Sequence, residues 1–188
     1  MQTYRLFGVF TLVLFVFAFT AFPQQTPADK TTVEIKKSTF YLNGTAVKLP
    51  IKAADLVKII GKPDRAMEGA RKVSTWDRLG LTGYQKTDSD EFLEIGVILN
   101  VTDNAFDFTP EKSFSGSFVI DGAKITTAST RNTVNQKKTG GKFKQLPLVG
   151  MLSDYKTGGL YLVMWQEAKR GASGSGKILQ INVGIDPK

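Results

Sequence analysis

Beyond residue 61 the chain falls into short runs in which apolar and polar residues alternate, each run separated from the next by turn-forming residues. A period of two is the mark of a strand buried on one face, so this pattern commits most of the chain to β-sheet. Residues 72–76 and 81–85 flank Asp77-Arg78-Leu79-Gly80 and predict a hairpin, and residues 92–101 predict one long strand. Residues 114–120 and 123–127 flank Asp121-Gly122 as a second hairpin, and residues 142–148 are a further strand candidate. Residues 160–166 pair naturally with 177–185 across a Gly/Ser-rich loop at 170–176. Residues 102–112 hold Asp103, Asn104, Asp107 and Pro110 and read as loop.

Upstream, residues 32–49 also alternate, and Asn43-Gly44 gives the strongest short hairpin signal, because both residue types accept positive φ. The same Asn opens one of two glycosylation sequons, the other being Asn100-Val101-Thr102. Turn chemistry explains the first sequon better. Between Ile51 and Ile60 the apolar residues recur at three- and four-residue spacings and predict a helix, which Gly61 caps and Pro63 forbids from continuing. Residues 132–138 have helical residues but little to bury. Clustered strands with one early helix predict an α+β domain: one short helix packed on a mainly antiparallel sheet, with a β-rich C-terminal half. No period of about 20–50 residues recurs, which argues against a solenoid or propeller.

Ahead of this body lies an apolar opening. Of the 17 residues from Leu6 to Phe22, 14 are apolar, and Arg5 is the only charge before them. This is the pattern of a secretory signal peptide over residues 1–21. The small-residue cleavage pattern is imperfect, since a cut after Ala21 leaves Phe19 at the minus-three position. The alternative is an uncleaved anchor, for which 17 residues lie at the short end of what spans about 30 Å of hydrocarbon. Either outcome exports the domain to the periplasm or cell envelope. Residues 22–31 read as a polar, proline-punctuated tether, and 32–188 as one domain.

The chain has no Cys and no His, so disulfides, thiol nucleophiles, Cys/His zinc sites, proximal-His haem and Ser-His-Asp triads are excluded. The net charge is +8, or +7 without residues 1–21. A basic domain raises nucleic acid as a partner, but export argues against it, and the lysines are dispersed apart from Lys36-Lys37, Lys137-Lys138, Lys142 and Lys144. A protein partner or an anionic envelope surface fits that charge better.

Three motifs invite chemistry. Gly171 to Lys177 fits GxxxxGK, yet Ile178 stands where a phosphate-cradling loop needs a hydroxyl, and the sequence after it alternates like a strand. Nucleotide binding is therefore not expected. Asp88-Ser89-Asp90-Glu91 and the pair Asp103 and Asp107 are acidic, but they lack the ligand spacing of a calcium loop, so no metal, cofactor or catalytic residue is assigned. The segment with most character is Trp76-Asp77-Arg78-Leu79-Gly80. As structure, Trp76 fills the core, Asp77 accepts backbone N–H groups and Gly80 supplies positive φ. As function, Trp76, Asp77, Arg78 and Tyr84 form an exposed patch for a protein partner.

The series Phe40-Tyr41-Leu42-Asn43-Gly44, then Ile60-Gly61-Lys62-Pro63-Asp64, then Thr75-Trp76-Asp77-Arg78-Leu79-Gly80-Leu81 with Tyr84, and the strand at 95–99, resembles a family of uncharacterised bacterial exported proteins. Its pattern is a hairpin, a short helix, a GKPD-like stop and a WDxxG turn over roughly residues 32–101. The resemblance implies an α+β domain with no assigned activity. A looser likeness is to small outer-membrane assembly lipoproteins, whose lipidated Cys this chain lacks. Toxin-neutralising immunity proteins are similar in size and style. The function expected from the sequence is a non-enzymatic protein- or envelope-binding module. The alternatives are an immunity protein, or a carboxylate- or metal-dependent hydrolase with a pocket lined by Asp88, Asp90, Asp103 or Asp107.

Overall fold

The computed structural model describes residues 31–102, 106–147, 149–168 and 174–185, so the apolar leader, residues 22–30 of the tether and most of the Gly/Ser loop lie outside the described residues. Strands β1 (Thr32–Lys36), β2 (Thr39–Leu42) and β3 (Thr45–Val47) form a meander, followed by the short β4 (Ile51–Lys52) and helix α1 (Ala53–Ile60). Next come β5 (Arg65–Met67), β6 (Lys72–Trp76), β7 (Leu81–Gln85) and β8 (Glu91–Ile98). Then follow β9 (Ser117–Ile120), β10 (Ala123–Ile125), helix α2 (Arg131–Lys137), β11 (Lys144–Gln145), β12 (Leu152–Thr157), β13 (Leu160–Gln166) and β14 (Ile178–Ile185).

These strands make two sheets. The five-stranded one runs β10-β9-β1-β2-β3, and the nine-stranded one runs β11-β12-β13-β14-β8-β7-β6-β5 with β4 added beside β8. Among the described strands only β1 and β9 pair in parallel, Val33 opposite Phe118 and Ile35 opposite Ile120. One apolar cluster joins the inner faces: Ile35, Phe40 and Phe118 from the smaller sheet meet Ile95, Leu162 and Ile181 from the larger. Fully burying a side chain of this size is worth about 1.5–3 kcal/mol, so the shared core is what holds the sheets together.

The turns form as their residues dictate. Asn43 and Gly44 (φ 48° and 76°) join β2 to β3, and Asp121 and Gly122 (φ 45° and 87°) join β9 to β10, in both cases with the two consecutive positive φ values that match strand twist. Asn43 also receives the Thr32 N–H at 2.9 Å and donates to the Ile59 carbonyl at 3.0 Å, tying the hairpin to the end of α1. Helix α1 has no side-chain cap at Lys52 and is held by buried Leu56; Gly61, at φ 86°, closes it with its N–H on the Val57 carbonyl.

The fold is thus β-rich, with two short helices rather than one. Helix α2 forms despite its polarity because the Thr130 hydroxyl accepts the Thr133 N–H while the Thr133 hydroxyl accepts the Thr130 N–H. Several strands are shorter than their alternation suggested. The long one ends at Ile98, Phe114 precedes β9 and binds the Ile98 carbonyl through its N–H, and only Lys144–Gln145 of residues 142–148 pairs. Thr31, assigned to the tether, is buried, and its carbonyl accepts the Ser117 N–H at 3.0 Å.

At the C-terminal end of α2 the Lys138 ammonium is enclosed. It lies 3.6 Å from the centroid of the Tyr155 ring and 3.4 Å from the Asp121 carboxylate, and it donates to the Thr139 and Gly141 carbonyls. Burial pushes its pKa below that of an ordinary lysine, with Asp121 opposing the shift. Burial likewise raises the Tyr155 pKa. Every one of these groups is partnered, so the cluster is a structural lock between α2 and both sheets.

Candidate functional site

The inner face of the nine-stranded sheet is packed into the core, whereas its outer face is open. Register fixes which residues share that face: Val73 lies opposite Tyr84, Tyr84 opposite Glu94, Asn182 opposite Gly96 and Val163, and Gln180 opposite Trp165. Gly96 also lies on this face, and the missing Cβ leaves room for the Thr82, Asn182 and Gln180 side chains to close over it. The result is a groove of about 680 Å³. That is the size range of small-molecule sites.

One wall comes from the segment after β8. Phe106 and Phe108 stack nearly parallel, 5.2 Å between centroids, and Phe108 meets Tyr84 edge-on at 6.4 Å. Three bonds hold this segment to the sheet. Arg65 donates to the Asp107 carbonyl and, at 2.6 Å, to the Thr109 carbonyl, and the Thr75 hydroxyl donates to the Phe108 carbonyl at 2.9 Å. The opposite wall is Val163 and Trp165 from β13, and Met67 closes a rim. Trp165 (41 % exposed), Met67 (39 %) and Phe106 (69 %) are three of the protein's exposed large apolar side chains, and all three line this one hollow.

The floor is a directed hydrogen-bond chain. Asn182 donates through Nδ2 to Glu94, Gln180 donates through Nε2 to Asn182 and, at 3.2 Å, to the Tyr84 hydroxyl oxygen, and Arg71 reaches Glu94 at 3.5 Å. A carboxylate only accepts, so Glu94 sets the polarity of the whole chain. Gln180 therefore spends both amide hydrogens on this chain, which leaves its carbonyl as an acceptor and the Tyr84 O–H as a donor. The charges that line the groove are paired: Glu94 with Arg71, and Glu68 with Lys72 at 3.7 Å.

The four residues of the expected patch do not share one exposed surface. Trp76 is 1 % exposed, its indole N–H bound to the Gly61 carbonyl at 2.9 Å and its ring packed on Phe92. Asp77 is also buried; its carboxylate takes Arg65 and the Glu111 N–H, and the Arg65 hydrogen bond lowers its pKa while raising that of Arg65. Arg78 is exposed and stands 3.7 Å from Asp64. Only Tyr84 lines the groove. The structural reading of this segment describes the geometry, down to Gly80 at φ 68°.

The acidic residues weighed for metal or hydrolytic chemistry are elsewhere. Asp88 and Asp90 are exposed in the β7–β8 connection, Asp107 is exposed on the loop, and Asp103 lies outside the described residues. Among the described residues no three acidic side chains gather as a cation site would require. Lys177 precedes strand β14, where a phosphate loop would open a helix. The groove residues Glu94, Trp165, Gln180 and Asn182 were not singled out from sequence. Their one local signal was polar side chains in strands with glycine on the same face.

Two facing sheets around one core, with a lined groove on the outside of the larger, define a β-rich protein with a preformed hollow. The chain belongs to the family described as a domain of unknown function, DUF7738, whose model matches residues 32–135. That stretch carries Tyr84, Glu94 and the Phe106–Phe108 wall, whereas Trp165, Gln180 and Asn182 lie beyond it. No curated protein and no solved structure matches the chain.

Proposed function

We propose that the chain is an exported, non-enzymatic binding module that holds an envelope component in the groove on the outer face of the nine-stranded sheet. One observation carries this reading: Met67, Phe106 and Trp165 stay exposed around a single hollow, although folding normally hides such side chains, and a hydrogen-bonded polar chain sits between them. Exposed apolar surface gathered at one place and fitted with a few fixed polar groups is how ligand sites are built. The apolar stretch at residues 6–22 supports export, and the absence of His and Cys leaves few side chains suited to proton transfer near neutral pH.

Two measurements test the reading. Mass spectrometry of the envelope fraction should find the chain there, either shortened by its leader or anchored by it; a soluble cytosolic species that retains Met1 contradicts export. Retention of an envelope component through purification should fall when Trp165 is replaced by Ala, with the melting temperature kept. Retention that ignores Trp165 contradicts the groove.

A further inference from the structure

Resting on that reading, we infer that the groove takes a neutral saccharide, with a ring face on Trp165 and hydroxyls on Tyr84 and Gln180. The argument is one of complementarity. A charged ligand would need an uncompensated partner, but the lining carboxylates already face Arg71 and Lys72, so the groove of this strongly basic chain is itself balanced. A purely apolar ligand, such as an acyl chain, would cover the Tyr84 hydroxyl and the Gln180 carbonyl without returning a hydrogen bond, and burying unpaired polar groups is unfavourable. A peptide added as a strand needs a sheet edge, whereas this groove lies on a sheet face.

A sugar ring satisfies both halves of the site. Its hydroxyls each donate and accept, which matches one free donor on Tyr84 beside one free acceptor on Gln180. Its polarised C–H face suits the negative face of an aromatic ring, and Trp165 and Phe106 present such surfaces on opposite sides of the polar floor.

The test is titration of the chain, purified as the cell produces it, with neutral oligosaccharides (N-acetylglucosamine, glucose and mannose tetramers), read by tryptophan fluorescence and calorimetry. Saturable binding is expected to at least one, weakened about tenfold or more by Trp165→Ala and several-fold by Tyr84→Phe and by Gln180→Leu. Circular dichroism confirms that each variant is folded. The assignment is overturned if no neutral tetramer binds, or if binding ignores Trp165. It is also overturned if an envelope component held through Trp165 is not displaced by any of the sugars, an outcome that leaves the groove a binding site for some other chemistry.

Discussion

Arg65 and Asp77 meet in a two-point ion pair, Nε to Oδ2 at 2.9 Å and Nη2 to Oδ1 at 3.0 Å. The pair bridges β5 and the turn after β6, and each partner also grips the segment that walls the groove: Arg65 through the carbonyls of Asp107 and Thr109, Asp77 through the Glu111 N–H. The most chemically suggestive segment of the sequence therefore serves the site at one remove. It fixes the loop that carries Phe106 and Phe108.

Arg65→Leu should lower stability by about 1–3 kcal/mol, because it strands the Asp77 carboxylate and two loop carbonyls. The figure stays below that of a fully buried pair because the Arg65 side chain is 37 % exposed. Hydrogen exchange should quicken selectively at residues 106–111. A variant with unchanged exchange there would show that the pair does not hold the wall.

The same pair sets an acid limit. Asp77 has its pKa lowered by the Arg65 hydrogen bond, so the folded state binds fewer protons than the unfolded state near and below the ordinary carboxylate value of 3.8. Its stabilisation is present in full above that value and is lost as pH falls through the lowered one. Denaturation measured from pH 6 down to about pH 2 should show a steeper acid decline in the native chain than in Asp77→Asn. Equal slopes would remove Asp77 from the account.

Two positive-φ glycines separate strain from crowding. A Cβ on Gly80, at φ 68°, would overlap the backbone of Phe114, standing 2.6 Å from its Cα, whereas one on Gly122, at φ 87°, meets nothing within 4 Å. Gly122→Ala should cost about 1 kcal/mol from conformation alone. Gly80→Ala should cost about twice that or more, since backbone cannot step aside. Equal losses by urea denaturation would contradict the geometry assigned to the WDxxG turn.

Gly96 offers a variant that acts on the polar floor from beneath. A Cβ there would stand 2.9 Å from both Asn182 Oδ1 and Gln180 Nε2, the ends of longer side chains, and 2.4 Å from the Oγ1 of Thr82, a buried side chain that is stiff at χ1. Gly96→Ala should leave the chain folded, at a cost of about 1–3 kcal/mol in urea denaturation. It should nevertheless abolish whatever binding the groove supports. Full binding in this variant would mean that the network on the floor is not part of the site.

The elements legible in the sequence are those fixed by neighbours in the chain. Asn43-Gly44 and Asp121-Gly122 specify their own turns, Gly61 and Pro63 stop α1, and the alternation of β13 and β14 marks their buried faces. Strand β12 lacked that alternation because Ser153 and Tyr155 fill its inner positions. The parallel pairing of β1 with β9 joins segments more than 80 residues apart and has no local signature. The groove is hidden for the same reason: Tyr84 bonds Gln180 across 96 residues and Asn182 bonds Glu94 across 88. Each is an ordinary polar residue on an outward strand position until the sheet brings them together.

Site-specific photocrosslinking in intact cells tests the central claim, that the outer face of the nine-stranded sheet is the working surface. A crosslinking residue in place of Ala70, which lines the groove, should yield an adduct in the envelope fraction, and one in place of Val119, on the smaller sheet away from the core, should yield none. Adducts of equal yield from both positions, or an adduct from 119 alone, would contradict the account.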